Sequence, residues 1–226
     1  MHPSIERARR EGRHLLEPEA LDLLEGHGIW VPRHEVVRTK EEALLAAKDL
    51  GWPLVMKVVA PHILHKTEIG GVILPINREE EVTEAFSRLV SLDDGDRKVE
   101  GVLLCPYQPH DTELSVGMIR DSQFGPVVTF GLGGIWVEVF EDLAYGIAPL
   151  SSAEAEAMIR STRGFPVLAG ERGRKASDPQ ALSQLLVSVS RMGLEEAAIQ
   201  EIDLNPVLPL ERGYFIADAR IMLGKG

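Results

Sequence analysis

The chain has 226 residues, of which 44% are hydrophobic and 26% charged, values that are ordinary for a globular protein with a sizeable core. Its formal net charge of -11 opposes non-specific binding to nucleic acid or to an anionic membrane. A single cysteine, Cys105, excludes an internal disulfide and a zinc site built from several cysteines. No apolar run approaches the ~20 residues that span a bilayer, and no signal peptide is apparent, so we expect a cytoplasmic protein.

Helix start signals precede apolar runs in the first half of the chain. Pro18 between two acids predicts a helix from Glu17, and Thr39 with Glu42 forms a capping box for a second helix. Strands are expected at 53–59, 72–76 and 101–104, and Asn77 is expected to cap the helix after the second of these.

The second half of the chain favours an antiparallel sheet. Residues 114–139 alternate β-rich runs with turns at 121–125 and in the glycine cluster 131–134, which predicts a meander. Helices should begin after Ser151, in a capping box with Glu154, and at Asp178-Pro179. Strands are expected at 198–204, near Val207 and at 214–219. Helices interleaved with mostly antiparallel strands favour an α+β fold over a doubly wound parallel sheet.

Lys57 stands inside an apolar run, where strand alternation puts it on the same face as Val55 and Val59. One interpretation is a lysine on an edge strand whose ammonium reaches out to water. The other is a cation that meets the phosphate of a ligand.

The loop 60–71 concentrates two histidines, a lysine and a glycine pair. Gly70 and Gly71 would allow backbone N–H groups to converge on phosphate oxygens, and Lys66 would add a point charge, although Gly-Gly before a strand also fits a tight turn. No Walker motif, dinucleotide-binding fingerprint or His-Glu-x-x-His pair competes with this loop.

Asn205 and Asp218 flank a short predicted hairpin near the C-terminus. Two antiparallel strands would bring their side-chain oxygens together, and such a pair suits Mg²⁺ that is shared with a nucleotide. Alternatively, Asn205-Pro206 makes only a turn and Asp218 is solvated.

Several segments, in this order along the chain, resemble the beta subunit of ADP-forming acetyl-CoA synthetases. They are 55–57, 63–71, 120–126, 130–134, 203–206 and 218–221. The resemblance extends from about Glu17 to Leu223. The segments are similar, more distantly, to the ATP-grasp part of the succinyl-CoA synthetase beta subunit.

The resemblance implies an ATP-grasp fold with two lobes that clasp ATP or ADP. Residues 36–104 would form the small lobe, and residues 1–35 and 105–226 the large lobe. The roles that it implies concern phosphate, ribose and metal. Lys57, Lys66, Gly70 and Gly71 would contact phosphates, Glu113 would face the ribose, and Asn205 and Asp218 would bind Mg²⁺.

The hinge between the lobes reads Leu104-Cys105-Pro106-Tyr107, whereas relatives tend to have polar residues there. ATP-grasp hinges read adenine with one backbone carbonyl and the N–H two residues on, which would be those of Cys105 and Tyr107. Pro106 has no N–H to donate. Adenine recognition would survive, while the preference for adenine over guanine stays open.

His65 matches the family's phosphoryl-accepting histidine, and His62 has no matching role. Neutral imidazole is a competent phosphoryl acceptor near pH 7. The resemblance implies that His65 passes phosphate between a CoA-binding alpha subunit and ADP, in an α2β2 assembly or as one domain of a fused enzyme. The net reaction would be acyl-CoA, ADP and phosphate giving acid, ATP and CoA. Two alternatives are a self-sufficient ATP-grasp carboxylate ligase and a non-catalytic nucleotide sensor.

Overall fold

The computed structural model describes residues 2–63, 66–93, 98–134, 142–171 and 175–224. It divides the chain into two compact units. Unit 1 consists of Met1–Val31 and His110–Gly226, and unit 2 consists of Pro32–Pro109. Among the described residues, no helix is long and apolar enough to cross a membrane.

Helices and strands alternate along the described chain. The helices are α1 (Pro3–Arg10), α2 (Glu17–Gly26), α3 (Lys40–Leu50), α4 (Glu79–Val90), α5 (Ser152–Ser161), α6 (Phe165–Leu168) and α7 (Pro179–Glu195). The strands are β1 (Glu35–Val37), β2 (Leu54–Val59), β3 (Val72–Ile76), β4 (Gly101–Pro106), β5 (Leu114–Asp121), β6 (Gly125–Leu132), β7 (Leu143–Ile147), β8 (Ile199–Pro209), β9 (Tyr214–Ile216) and β10 (Arg220–Leu223).

The helix starts that rest on a complete capping signal are confirmed. Glu42 N–H donates to the Thr39 hydroxyl at 3.2 Å, and the Glu42 carboxylate accepts the Thr39 N–H. Ser151 and Glu154 form the same reciprocal pair, and Asp178 caps α7 by accepting the N–H of Ala181. A capping box satisfies two backbone donors that the first helical turn leaves unpaired, which is why the short pattern determines the start.

Other boundaries were predicted wrongly. Asn77 does not cap α4, because the N-cap is Arg78 and the Asn77 N–H instead donates to the Glu81 carboxylate at 2.8 Å. The runs at 198–204 and Val207 form one strand, β8, since a β-bulge carries the ladder past Pro206. The last predicted strand ends at Ile216 and is followed by a separate strand, β10. Helix α1 and strands β1 and β7 were not predicted from the sequence.

Within its described residues, unit 2 contains a four-stranded antiparallel sheet of order β1-β4-β2-β3. One face of this sheet packs against α3 and α4 through a core that includes Met56, Val58 and Leu104 from the strands and Phe86 and Leu89 from α4. Alternation along β2 therefore turns Val55, Lys57 and Val59 to the opposite face of the sheet.

Unit 1 is built on an antiparallel sheet of order β10-β8-β5-β6-β7, with β9 paired to β8 beside it. Residues that alternate along β5, β6 and β8 are fully buried, among them Val116, Phe130 and Leu204. The opposite face carries a row of residues that are aligned by the strand register: Arg220, Asp203, Gly117, Thr129 and Tyr145. We call this the Asp203 face. The sheet thus has an apolar face and a partly polar face, which supports the predicted α+β class.

Arg120 joins β5 to the end of α7. Its guanidinium donates to the carbonyl oxygens of Gly193, Ile199 and Glu196 at 2.6, 2.8 and 3.2 Å. Asp121, the next residue, accepts the N–H groups of two residues in the turn that follows, at 2.7 and 2.9 Å. Because both side chains bind the main chain, we assign a structural role to Arg120 and Asp121.

Candidate functional site

Lys57 lies in the middle of unit 2, on a strand with a partner on each side. Its register partners are Leu103 on β4 and Val72 on β3. Only 4% of the residue is exposed. The alternative of a lysine on an edge strand that reaches water is therefore wrong. A buried ammonium needs compensating polar or charged groups, which agrees with a lysine kept for a specific contact.

The end of the loop 60–71 forms a closed turn beside Lys57. Gly71 N–H donates to the carbonyl of Lys66 at 2.6 Å, and Gly70 N–H donates to the carbonyl of Thr67 at 3.2 Å. Gly71 must be glycine, since a Cβ there would lie 2.7 Å from Val58 Cγ1. Both N–H groups are thus used within the chain. Gly70 and Gly71 therefore do not form the expected set of free backbone donors for phosphate in this turn. Lys66 is the lysine of this loop.

His65 lies outside the described residues, so its role stays a prediction. The described residues on both sides bring the loop back to the sheet next to β2, because Val58 N–H donates to the Gly71 carbonyl at 2.9 Å. The loop that contains His65 therefore begins and ends at strands that neighbour Lys57, with Lys57 opposite Val72.

One group of the predicted hinge pair is used within the chain. Tyr107 N–H donates to the Pro53 carbonyl at 2.8 Å, and Cys105 is the ladder partner of Val55. Both residues thus turn their main-chain groups toward β2, and the Tyr107 N–H is not available to a base. Since main-chain polar groups alternate along a strand, those of Pro106 point to the other side, away from β2. The sequence pattern alone could not determine which side each residue faces.

Glu113 in unit 1 has a partner that the sequence analysis missed. Its carboxylate lies 2.8 Å from the ring nitrogen Nε2 of His110. The Glu113 carbonyl accepts the N–H of Gly133 at 2.7 Å, and a Cβ on Gly134 would lie 3.1 Å from the carboxylate. The glycine cluster therefore packs closely around Glu113 and sets its position, while the ring of His110 contacts its carboxylate.

Asn205 and Asp218 lie between two short ladders of unit 1. Val207 pairs with Ile216 of β9 and Asp203 pairs with Arg220 of β10, and the register shared by both ladders, continued between them, sets Asn205 across from Asp218. Ala217 N–H donates to the Pro206 carbonyl at 2.9 Å, which joins the two segments at this point. The register thus favours facing positions for the two residues that the sequence singled out, and their role in binding a metal ion stays a prediction.

The same part of the sheet holds three further charged residues that sequence reasoning missed. Glu201 and Asp203 alternate along β8 ahead of Asn205, and Arg220 lies two residues after Asp218. Burial raises the pKa of Asp203 above its ordinary value, Arg220 opposes that shift, and the charges of Glu201 and Asp218 add to it. The period-two spacing Glu-x-Asp-x-Asn with Asp-x-Arg was the signal that could have identified them.

Asn205 and Asp218 carry donor atoms of the kind that Mg²⁺ requires. An amide oxygen from Asn205 and a carboxylate from Asp218 are hard oxygen ligands of the type that Mg²⁺ prefers. Among the described residues there is no group of three or more His, Cys, Asp or Glu side chains arranged to hold a metal ion. The two side chains would thus suit a metal ion that takes its other ligands from phosphate and water.

Comparisons with known proteins identify the family of this chain. Residues 7–223 match a family model described as an ATP-grasp domain. The chain is 42% identical to the beta subunit of acetate–CoA ligase [ADP-forming] I of Pyrococcus furiosus, over 97% of this chain and 96% of that one. It is 39% identical to acetate–CoA ligase [ADP-forming] I of Archaeoglobus fulgidus, over 98% of this chain but only 33% of that longer protein.

A solved structure of acetyl-coenzyme A synthetase 1 from Ca. Korarchaeum cryptofilum is also similar. It superposes with a TM-score of 0.87 at 36% identity and covers 98% of both chains. That structure contains coenzyme A and Mg-AMPPCP, and its phosphohistidine segment points towards the nucleotide binding site. The chain therefore belongs to the ATP-grasp superfamily, in the family of the beta subunits of ADP-forming acetyl-CoA synthetases.

Proposed function

We propose that this chain is the nucleotide-binding beta subunit of an ADP-forming acyl-CoA synthetase and that His65 carries the phosphoryl group to ADP. The observation that carries the proposal is the register that sets Asn205 across from Asp218 in unit 1. Family membership supports it. The assignment of residues 36–104 as a small lobe and of the remainder as a large lobe is part of the same proposal.

Phosphate is held by lysines in the proposed site. Lys57 is buried on a central strand, so its ammonium is fixed in position before a ligand arrives. Lys66 is held by the closed turn that ends at Gly71. Charge-assisted contacts from the two lysines would orient the β-phosphate of ADP and neutralise charge in the transition state. Gly70 and Gly71 contribute by allowing this close turn, not by donating their N–H groups.

Asn205 and Asp218 would hold Mg²⁺ by their side-chain oxygens. The bound ion would bridge phosphate oxygens and neutralise their charge. The transfer itself breaks the bond between phosphorus and an imidazole nitrogen of phosphorylated His65. A terminal oxygen of ADP forms the new bond to phosphorus and gives ATP. The chain has only to position the reactants in line and balance charge, which needs no further covalent chemistry from the protein.

We assign the contact with the base to a residue of unit 2 and the contact with the ribose to a residue of unit 1. The carbonyl of Pro106, on the side of β4 that faces away from β2, replaces the predicted Cys105 and Tyr107 pair as the adenine acceptor. Glu113, oriented by His110 at 2.8 Å, would accept hydrogen bonds from the ribose hydroxyls.

A CoA-binding alpha subunit would supply the acyl and CoA sites, in an α2β2 assembly. The relative from Pyrococcus furiosus is named as a subunit, which supports a separate partner chain. The acyl group would be recognised on that partner, so this chain does not determine whether the acid is acetate or a larger one.

The experiment that tests the proposal uses the labelled phosphohistidine. Incubation of the chain with Mg²⁺ and γ-labelled ATP should leave an acid-labile, base-stable label on His65 even without the alpha subunit. His65→Asn should abolish the label and the synthetase reaction, with ADP affinity changed little, because the imidazole transfers phosphate and does not anchor the nucleotide.

His62→Asn is the matched control, since His62 lies three residues away in the same loop and has no proposed role. This variant should keep the label in full. A label on any residue other than His65 would contradict the carrier assignment. Full synthetase activity of His65→Asn with the partner present would refute the mechanism, and turnover of ATP without any partner would favour a self-sufficient ligase.

A further inference from the structure

Arg220 is a charged residue of unit 1 to which the proposed function gives no role. It begins β10, and the strand register places it directly opposite Asp203 on β8. Glu201 lies on the same face as Asp203, two residues earlier in the strand. The Arg220 guanidinium thus lies beside the acidic side chains of the Asp203 face.

The contacts of Arg220 are ionic and loose. Its Nη2 atom lies 3.5 Å from the Glu201 carboxylate and 3.6 Å from the Asp203 carboxylate. Its Nε atom is buried and has no hydrogen-bond partner in the part of the chain that the structure describes. Well-formed arginine–carboxylate pairs are bidentate with distances near 2.8 Å. Arg220 therefore lies within ion-pair distance of two carboxylates and offsets part of their negative charge without being locked to either.

A guanidinium in this place has a consequence for metal ions. The charges of Glu201 and Asp218 both act on Asp203, and negative charge of this kind attracts a divalent cation. The positive charge of Arg220, next to Glu201 and Asp203, repels such a cation.

We infer that Arg220 is the built-in counter-cation of the Asp203 face, which keeps free divalent metal ions out and favours entry of the metal together with nucleotide phosphate. Arg220 is a positioning residue in this role, because it acts through Glu201 and Asp203. The inference rests on the proposed metal pair Asn205 and Asp218. It predicts opposite changes in the affinity for a free metal ion and for a nucleotide when the charge is removed.

The test uses Mn²⁺ as a paramagnetic substitute for Mg²⁺ on the full chain without nucleotide. Titration followed by electron paramagnetic resonance should show that Arg220→Met binds Mn²⁺ about tenfold more tightly than the unmodified chain, since the repulsive charge is gone. Isothermal calorimetry at saturating Mg²⁺ should show weaker ADP binding by the same variant. Arg220→Lys keeps the charge and should restore both affinities. A role in folding alone would not move the two affinities in opposite directions.

The second measurement tests charge compensation with a double variant. Glu201→Gln in the Arg220→Met background should return Mn²⁺ affinity toward that of the unmodified chain, because one excess carboxylate is removed. If Arg220→Met does not fold, Glu201→Gln alone tests the same balance and should weaken Mn²⁺ binding. Unchanged or weaker Mn²⁺ binding by folded Arg220→Met would overturn the inference while leaving the proposed function intact. A chain that binds no Mg-ADP at all would refute the proposed function instead.

Discussion

Two polar segments of unit 1 lie on the same sheet and are used differently. In residues 120–126, Arg120 donates to three carbonyl oxygens at 2.6–3.2 Å, and Asp121 accepts two N–H groups of the turn. In residues 203–220, Arg220 touches its carboxylates only at 3.5 and 3.6 Å and keeps a buried Nε without a partner among the described residues. The charged side chains of the first segment are hydrogen-bonded to the main chain. Those of the second segment keep hydrogen-bonding capacity, which the proposed site would use for a ligand.

The difference is also electrostatic. Hydrogen bonds from Phe124 and Gln123 lower the pKa of Asp121, so folding favours its ionised form. Burial raises the pKa of Asp203, so folding disfavours its ionised form. A charged side chain that the fold stabilises is typical of structure, whereas one that the fold destabilises needs another reason to be kept. Both segments contribute to the family resemblance, and only the contacts tell them apart.

The largest expected effect separates the two arginines by stability. Arg120→Met should lower the free energy of unfolding by about 3 kcal/mol, because it leaves three carbonyl groups without their charged donor. Arg220→Met should cost less than about 1 kcal/mol, since loose and partly exposed ion pairs contribute little. Urea unfolding followed by circular dichroism measures both. Equal losses for the two variants would mean that the contrast between the segments does not hold.

The next effect concerns magnesium. Asp218→Ala should raise the Mg²⁺ concentration needed for ADP binding by about tenfold or more, and Asn205→Ala by less, because only Asp218 brings a negative charge. Calorimetric titrations of ADP at a series of Mg²⁺ concentrations give these values. Asp121→Ala is the control from the structural segment and should leave the Mg²⁺ dependence unchanged. The metal site would have to be abandoned if all three variants behaved like the parent chain.

The smallest expected effect is on the melting temperature, which should change in opposite directions when Asp203 and Asp121 are each replaced by asparagine. At pH 7, Asp203→Asn should raise the melting temperature by about 2–4 °C, the shift that about 1 kcal/mol produces in a chain of this size. Asp121→Asn should lower it, because the ionised carboxylate that accepts two N–H groups is lost. Differential scanning calorimetry distinguishes the two directions.

The pH dependence follows from the pKa shifts. The folded pKa of Asp121 lies below its ordinary value of 3.8, so its contribution to stability is present above that value and is lost as the pH falls through the lowered pKa. The folded pKa of Asp203 lies above 3.8, so the corresponding stability is present below that value and is lost as the pH rises through the raised pKa. As the pH rises from 3 to 7, the melting temperature relative to that of the unmodified chain should therefore decrease for Asp121→Asn and increase for Asp203→Asn. Parallel changes would contradict the assignment of one aspartate to structure and the other to the site.

Local patterns were enough where a few neighbouring residues complete an interaction. The capping boxes at Thr39 and Ser151 start helices as predicted, since each pair satisfies its own backbone donors. Asn77 failed as a cap because a single polar residue competes with the Glu81 carboxylate for the same turn. Strand β10 was missed because the short run from Arg220 is stabilised by pairing with β8, which lies far away in sequence.

The sequence by itself determined the α+β class and the family, because motifs in order and period-two alternation are local properties of the chain. Only the tertiary structure decided where the residues of these motifs lie. Lys57 lies on a central strand, and the N–H groups of Tyr107 and Gly71 donate to carbonyl groups of the chain. The register of β8 with its neighbours sets Asn205 across from Asp218. These outcomes depend on which strands pair and in which register, and a pairing between distant segments is fixed by the packing of the whole sheet.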